Sequence, residues 1–248
     1  MEDHRSRTRQ YHRYTADGRR MREVLSYTRR GSRFTPRQQR AWDEYAEEWV
    51  VPDEAVDEPG FRVADWFGRE APLIVEVGCG VGEATGPLAA ARPGHDVLAL
   101  EVWRPGVAES LRNVAVAGAG NVRFLGVDAA WSVERLFTSA SLSELWTFFP
   151  DPWPKTRHHK RRLVTARFAA LVADRLAPGG IWRLATDWPA YAEQMRRVLD
   201  AEPGLEGGPT PRWSERPSTR FERRGIAEGR PIADLTYRRP REDRRVIL

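Results

Sequence analysis

From Leu73 onward, apolar runs of five or six residues alternate with helix-forming stretches, and this alternation restricts the chain to few folds. The runs are 73–77, 97–102, 122–127, 145–149 and 181–185. They are nearly continuous in apolar residues instead of alternating with polar ones, the pattern of strands covered on both faces. Helices are predicted over 84–91, 106–117, 161–176 and 189–199, the third stopping at Pro178-Gly179-Gly180, a strong breaker. Strands spaced by helices predict an α/β protein with a Rossmann-like, doubly wound, mostly parallel sheet. A last strand over 232–237 is predicted to lie antiparallel at the sheet edge.

The 248 residues suffice for one large domain with appendages. Residues 1–33 hold ten arginines against four acidic residues and show no apolar period, which predicts a basic arm, disordered or extended. Thr35-Pro36 with Gln38 begins a helix running to about Val50, and the acidic, proline-bounded stretch 52–60 reads as a linker. Residues 34–60 are thus a helix and linker ahead of a main domain over 61–248. A formal charge of +5 and a pI near 9.8 favour a polyanionic partner. Cys79 is the single cysteine, which excludes a disulfide framework and a cysteine-based zinc site. No apolar run approaches the ~20 residues of a transmembrane helix. A cytoplasmic monomer or homodimer without a membrane partner is expected.

The first predicted strand leads into Glu76-Val77-Gly78-Cys79-Gly80-Val81-Gly82. Gly78, Gly80 and Gly82 permit a tight turn and close approach of backbone to a ligand. A dinucleotide fingerprint needs a small residue at position 83, where Glu83 would repel a pyrophosphate. Glu101 closes the second strand, Asp128 the third, and Asp151 follows the fourth. Ligands of open α/β sheets bind at the carboxyl ends of strands. One strand-end acid is often a helix cap, but four in register predict a binding site.

After the fourth strand the chain reads Phe148-Phe149-Pro150-Asp151-Pro152-Trp153-Pro154-Lys155, then a basic run to Arg162. Three prolines make this a stiff loop, neither helix nor central strand, that presents Asp151 and Lys155. No acidic residue occurs from Pro152 to Ala173, so Arg157, His158, His159, Lys160, Arg161 and Arg162 are expected to face RNA phosphates. A fixed carboxylate beside such a patch points to chemistry on a nucleic acid. His158 and His159 are adjacent and point apart, which assigns them to phosphates instead of a metal.

Asp151-Pro152-Trp153-Pro154-Lys155 with the basic run behind it resembles the signature of the tRNA (guanine-N7-)-methyltransferase family. Glu76 to Gly82 resembles motif I of class I S-adenosylmethionine-dependent methyltransferases. Family-like segments recur at Arg33 to Ala41, Glu101 to Gly106, Ala185-Thr186-Asp187 and Arg216 to Gly225, so the resemblance covers roughly residues 24–239. Arg220 stands where the family usually has lysine, and Trp103 where it often has histidine. The resemblance implies the class I methyltransferase fold over 61–248 and S-adenosyl-L-methionine as cofactor, held by Glu76, Glu101, Asp128 and Asp151. It implies a tRNA partner whose guanosine, conventionally position 46 of the variable loop, meets Lys155, Asp187 and a loop of Thr219, Arg220, Phe221 and Glu222. Asp151 would be the catalytic residue, and no metal is implied.

Guanine N7 carries a free in-plane lone pair, so its methylation needs no strong base. Alignment with the methyl group suffices, aided by carboxylates such as Asp151 and Asp187 that accept from the guanine N1–H and amino edge. Three rivals stay open. An amino-group methyltransferase of DNA or RNA would carry Asp-Pro-Pro-aromatic, whereas Trp153-Pro154 stand here. An aminopropyltransferase would bring a cationic substrate that Lys155 and the basic run repel. A non-catalytic RNA-binding protein on a methyltransferase fold would not need the intact glycines and acids.

Overall fold

The computed structural model describes Ser26, Tyr27, Gly31 and residues 33–241. Apart from Ser26, Tyr27, Gly31 and Arg33, the arm expected over 1–33 lies outside the described residues, as does 242–248.

The sheet has eight strands: β1 Val50–Val51, β2 Leu73–Val77, β3 Asp96–Leu100, β4 Val122–Leu125, β5 Leu142–Phe148, β6 Leu176–Thr186, β7 Glu206–Thr210 and β8 Ala233–Arg238. Their order is β1-β4-β3-β2-β5-β6-β8-β7. The first six pair in parallel, and β8 runs antiparallel to both β6 and β7. The helices are α1 Pro36–Trp49, α2 Thr85–Ala90, α3 Arg104–Ala117, α4 Ala129–Arg135, α5 Ala166–Arg175, α6 Pro189–Asp200 and α7 Arg220–Ala227.

Two apolar layers sandwich the sheet. Val75, Leu98 and Leu100 pack with Phe168 and Val172 of α5 and with Tyr191 and Met195 of α6. Ile74, Val97, Ala99 and Phe124 pack with Leu88 of α2 and with Leu111 and Val114 of α3. Neighbours such as Ile74 and Val75 therefore serve opposite layers, which is why the strands read as continuous apolar runs. The α1 helix starts on a capping box: the Thr35 side chain accepts from Gln38 N–H, and the Gln38 side chain accepts from Thr35 N–H. Arg37 pairs with Glu109 at 2.8 Å and Gln38 donates to Pro105 O at 3.1 Å, docking α1 on α3.

Several expectations are corrected. The helix predicted over 161–176 is shorter: a 3-10 turn, Thr156–Arg161, comes before it, and α5 begins only at Ala166, capped by Thr165. Pro178-Gly179-Gly180 does not interrupt the strand. β6 begins at Leu176, and its pairing with β5 jumps from Leu142–Leu176 to Glu144–Ile181, a bulge in which Gly179 adopts φ +83°. Thr219 to Glu222 is not a loop, because Thr219 caps α7 by accepting from Glu222 N–H. The 232–237 strand is antiparallel as expected but not outermost, since β7 pairs along its far side. The stretch 52–60 contains a 3-10 turn, Asp53–Asp57, and Asp53 accepts from Gly126 N–H at 3.2 Å, tying it to the end of β4.

Candidate active site

A cleft of about 1140 Å³, counted to its open mouth, lies at the carboxyl ends of β2, β3 and β5. There the chain order reverses on either side of β2, the position at which doubly wound sheets open a crevice.

The glycine turn forms its floor. Gly78, Gly80 and Gly82 have φ values of +73°, +63° and +74°, a region glycine enters without steric cost. Gly78 and Gly80 line the cleft. Gly82 instead lies tight on α3, where a Cβ would come 2.8 Å from that of Ser110. Glu101 fastens the turn, accepting from Gly80 N–H at 2.9 Å and from Trp103 N–H at 2.8 Å. Glu76 is buried and accepts from the Thr85 hydroxyl at 2.6 Å. Burial pushes its carboxyl up to about 7, with the Thr85 hydroxyl opposing and the Glu101 carboxylate adding to the rise. Burial, together with the charges of Glu101 and Glu76, also pushes the Cys79 thiol up, so Cys79 stays a neutral packing residue.

Asp128 caps α4 with one oxygen, accepting from Trp131 N–H at 3.0 Å. Its Oδ2 is buried without a hydrogen-bond partner, while its neighbours Val127 and Ala129 line the cleft. A buried acceptor left unsatisfied costs about 1–3 kcal/mol. A ligand donor at this edge would remove that cost. An orphan acceptor and two carboxylates around a glycine floor fit a cofactor with an ammonium end and an amine-bearing base.

Asp151 lines the opposite wall on the stiff loop expected of its prolines. Phe149 and Trp153, on either side of Pro150-Asp151-Pro152, adopt φ +51° and +45°. Bulky side chains in this region cost of order 1–3 kcal/mol each and persist where the surroundings enforce them. Here Phe149 N–H donates to Ala185 O at 2.7 Å, and the Arg216 guanidinium lies 5.4 Å from the Phe149 ring centre. The Trp153 indole N–H donates to Ser26 O at 2.9 Å, and Arg161 stacks 3.5 Å from its ring centre.

The basic run splits by orientation. Lys155, Arg157 and Lys160 are exposed, His158, His159 and Arg161 half-buried, and Arg162 buried. Arg162 was expected to face RNA. Instead it donates to Pro152 O at 2.8 Å and Gln194 Oε1 at 2.7 Å, bracing the Asp151 loop against α6. His158 packs edge-on against Trp153, and partial burial and then the cations around it hold its imidazole below the usual range, hence uncharged at neutral pH. Thr219, Arg220 and Phe221 line the cleft mouth, but Glu222, expected beside them, is buried. It is locked between Arg212 at 2.7 Å and Arg216 at 2.9 Å, and Arg216 also grips Asp234 at 3.0 Å. These cations hold the Glu222 carboxyl below its ordinary range despite the opposing burial. Asp187 pairs with Arg230 at 2.7 Å and lies outside the cleft lining.

Sequence reasoning missed Ser26 and Tyr27, which line the cleft mouth, and the contacts of Glu83. No periodicity marks either. Among the described residues no group of three His, Cys, Asp or Glu side chains could hold a metal ion.

Comparison with known proteins gives a consistent result. The family described as "Putative methyltransferase" matches residues 70–235. A tRNA (guanine-N(7)-)-methyltransferase of Nocardioides sp. (strain ATCC BAA-499 / JS614) is 68% identical over 231 residues, covering 93% of each chain. The protein of that name in Cutibacterium acnes is 48% identical over 88% of this chain and 84% of its own. Among solved structures, a variant of 16S rRNA (adenine(1408)-N(1))-methyltransferase from Catenulisporales acidiphilia superposes with a TM-score of 0.51 at 16% identity, over 78% of this chain and 98% of that one. That last likeness is one of fold.

Proposed function

The chain belongs to the tRNA (guanine-N(7)-)-methyltransferase family, and from this membership and the geometry of the cleft we infer that it methylates N7 of a tRNA guanosine, at position 46 of the variable loop, using S-adenosyl-L-methionine. The observation that carries the reading is the meeting, in one cleft, of a carboxylate-flanked glycine floor with Asp151 on a strained, proline-stiffened loop. When bound, the cofactor supplies an activated methyl group: the N7 lone pair forms the new bond as the carbon–sulfur pair stays with sulfur, and no proton moves.

The chain's own groups do the rest. Glu76 receives the ammonium end of the cofactor, Glu101 the ribose hydroxyls, and the free oxygen of Asp128 the adenine amine. Asp151 accepts from the guanine edge and counters charge that develops on the ring, which a fixed carboxylate can do without reorganising. Thr219, Arg220 and Phe221 wall the acceptor side. Lys155, Arg157 and Lys160 are exposed just after the Asp151 loop and supply salt-dependent affinity for phosphates. Asp187, which pairs with Arg230, would touch the guanine after that pair opens. A tRNA substrate implies work in the cytoplasm. Among the described residues no helix is long and apolar enough to cross a membrane.

The test uses labelled cofactor and an unmodified tRNA transcript, followed by reduction and aniline cleavage, which maps N7-methylguanosine. We expect one cleavage in the variable loop and none in a transcript with 7-deazaguanosine there. Label without cleavage would exclude N7 and move the reaction to another atom of the tRNA.

A further inference from the structure

Glu83 follows the glycine turn by one residue and lines the cleft, yet its hydrogen bonds reach the other wall. Its Oε2 accepts from the Arg220 backbone N–H at 2.7 Å, and its Oε1 from the Arg223 guanidinium at 2.8 Å. Arg220 is the first residue of α7, whose leading N–H groups have no partner inside the helix. Thr219 serves the third of them at 3.4 Å, and Glu83 serves the first. The carboxylate thus sits where the positive end of the helix dipole favours an anion. A charge-assisted bond to a backbone donor also fixes position more tightly than a pair of mobile side chains does. The Arg223 half of the contact is exposed and adds little.

α7 is held on a second side. A Cβ on Gly225 would come 2.7 Å from that of Asp187, so the helix lies directly against the end of β6. Between that packed face and Glu83, the helix carries Thr219, Arg220 and Phe221 into the cleft. The root of Glu83 is equally fixed, because Gly82 beside it is pressed on Ser110 of α3.

We propose that Glu83 is a positioning residue that registers the acceptor wall, Thr219 to Phe221, against the glycine floor that holds the cofactor. The proposal rests on the methyltransferase reading above. Its length matters as well as its charge, since aspartate would be one methylene short of the Arg220 N–H.

The experiment compares Glu83→Ala, Glu83→Asp, Glu83→Gln and Arg223→Ala with the wild-type chain. It measures kcat/KM for tRNA, the Kd for S-adenosylhomocysteine and the melting temperature. Loss of one charge-assisted hydrogen bond corresponds to about a tenfold or larger fall. We expect that fall in kcat/KM for tRNA in Glu83→Ala and Glu83→Asp, with the Kd for S-adenosylhomocysteine within about twofold of wild type. Glu83→Gln keeps an acceptor of full reach but loses the charge, so its activity should fall between wild type and Glu83→Asp, and Arg223→Ala should stay within about threefold. Wild-type tRNA kinetics in Glu83→Ala would overturn the proposal, as would full activity in Glu83→Asp or a loss confined to S-adenosylhomocysteine binding. If the alanine variant does not fold, the Asp and Gln variants carry the same comparison. Failure of the methyltransferase reading looks different, because the wild-type chain itself would leave the transcript unmethylated.

Discussion

Raising the pH through neutrality should tighten cofactor binding, and Glu76 sets by how much. In the free fold burial pushes its carboxyl up to about 7, against an ordinary 4.5. If the cofactor's ammonium meets Glu76 and returns it to its ordinary value, binding below neutrality must expel a proton. Affinity at pH about 5.5 should then be about thirtyfold lower than on the plateau above 7, near 2 kcal/mol. Calorimetric titration with S-adenosylhomocysteine, in two buffers of different ionisation enthalpy at pH about 6, should count just under one proton released per site. Glu76→Gln should abolish the pH dependence and weaken plateau binding by about 1.5–3 kcal/mol. The folding sign is the reverse. A buried acid with a raised value favours the fold fully below 4.5, and that contribution, about 3 kcal/mol, is lost as pH rises through 7. Glu76→Gln should therefore flatten this part of the stability profile. A pH-independent Kd with no proton release would refute the argument and place the ammonium elsewhere.

Three other variants test the acceptor side. Asp151→Asn should lower single-turnover methyl transfer by about a hundredfold or more, with binding and melting temperature retained, because the side chain is half-buried and the loop is held by other residues. Near-wild-type turnover would remove Asp151 from the mechanism. Arg162→Ala should cost about 2–4 kcal/mol of stability, seen as a lower melting temperature, and leave the salt slope of tRNA binding unchanged. Arg157→Ala should do the opposite, melting like wild type and reducing the slope of log K against log salt by about 1. Thermal melts and filter binding across a salt series separate the two, and a stable Arg162→Ala with a flattened slope would return Arg162 to the RNA surface.

The strand alternation and the carboxyl-end acids were legible because both follow from local rules. A strand covered on two faces must be apolar throughout, and the turn after β2 needs φ values that select glycine. Orientation at the end of a long side chain was not legible. Arg157 and Arg162 look alike in sequence, yet the first is exposed and the second closes on Pro152 O, because the 3-10 turn ends between them. Glu222 misled for the same reason. Its partners are Arg212 and Arg216, and Arg216 in turn holds Asp234 of β8, contacts that no local sequence rule marks. The α7 start was missed although Thr219 with Glu222 carries a capping signal, because Pro217 and Ser218 before it read as more loop. Pro178-Gly179-Gly180 misled because a bulge and a break use the same residues.

The two rims of the sheet constrain how this protein could assemble. An open strand edge is a template on which another chain can add, and a second copy is the commonest such chain. At one rim, β1 offers two residues. At the other, β7 reads Glu-Gly-Gly-Pro-Thr, so Pro209 removes a donor. Among the described residues, neither rim offers a long, regular row of backbone donors. A homodimer would therefore draw, among the described residues, on side-chain contacts more than on an added strand, and such a contact is easier to dissolve by single surface substitutions than one sewn together through backbone.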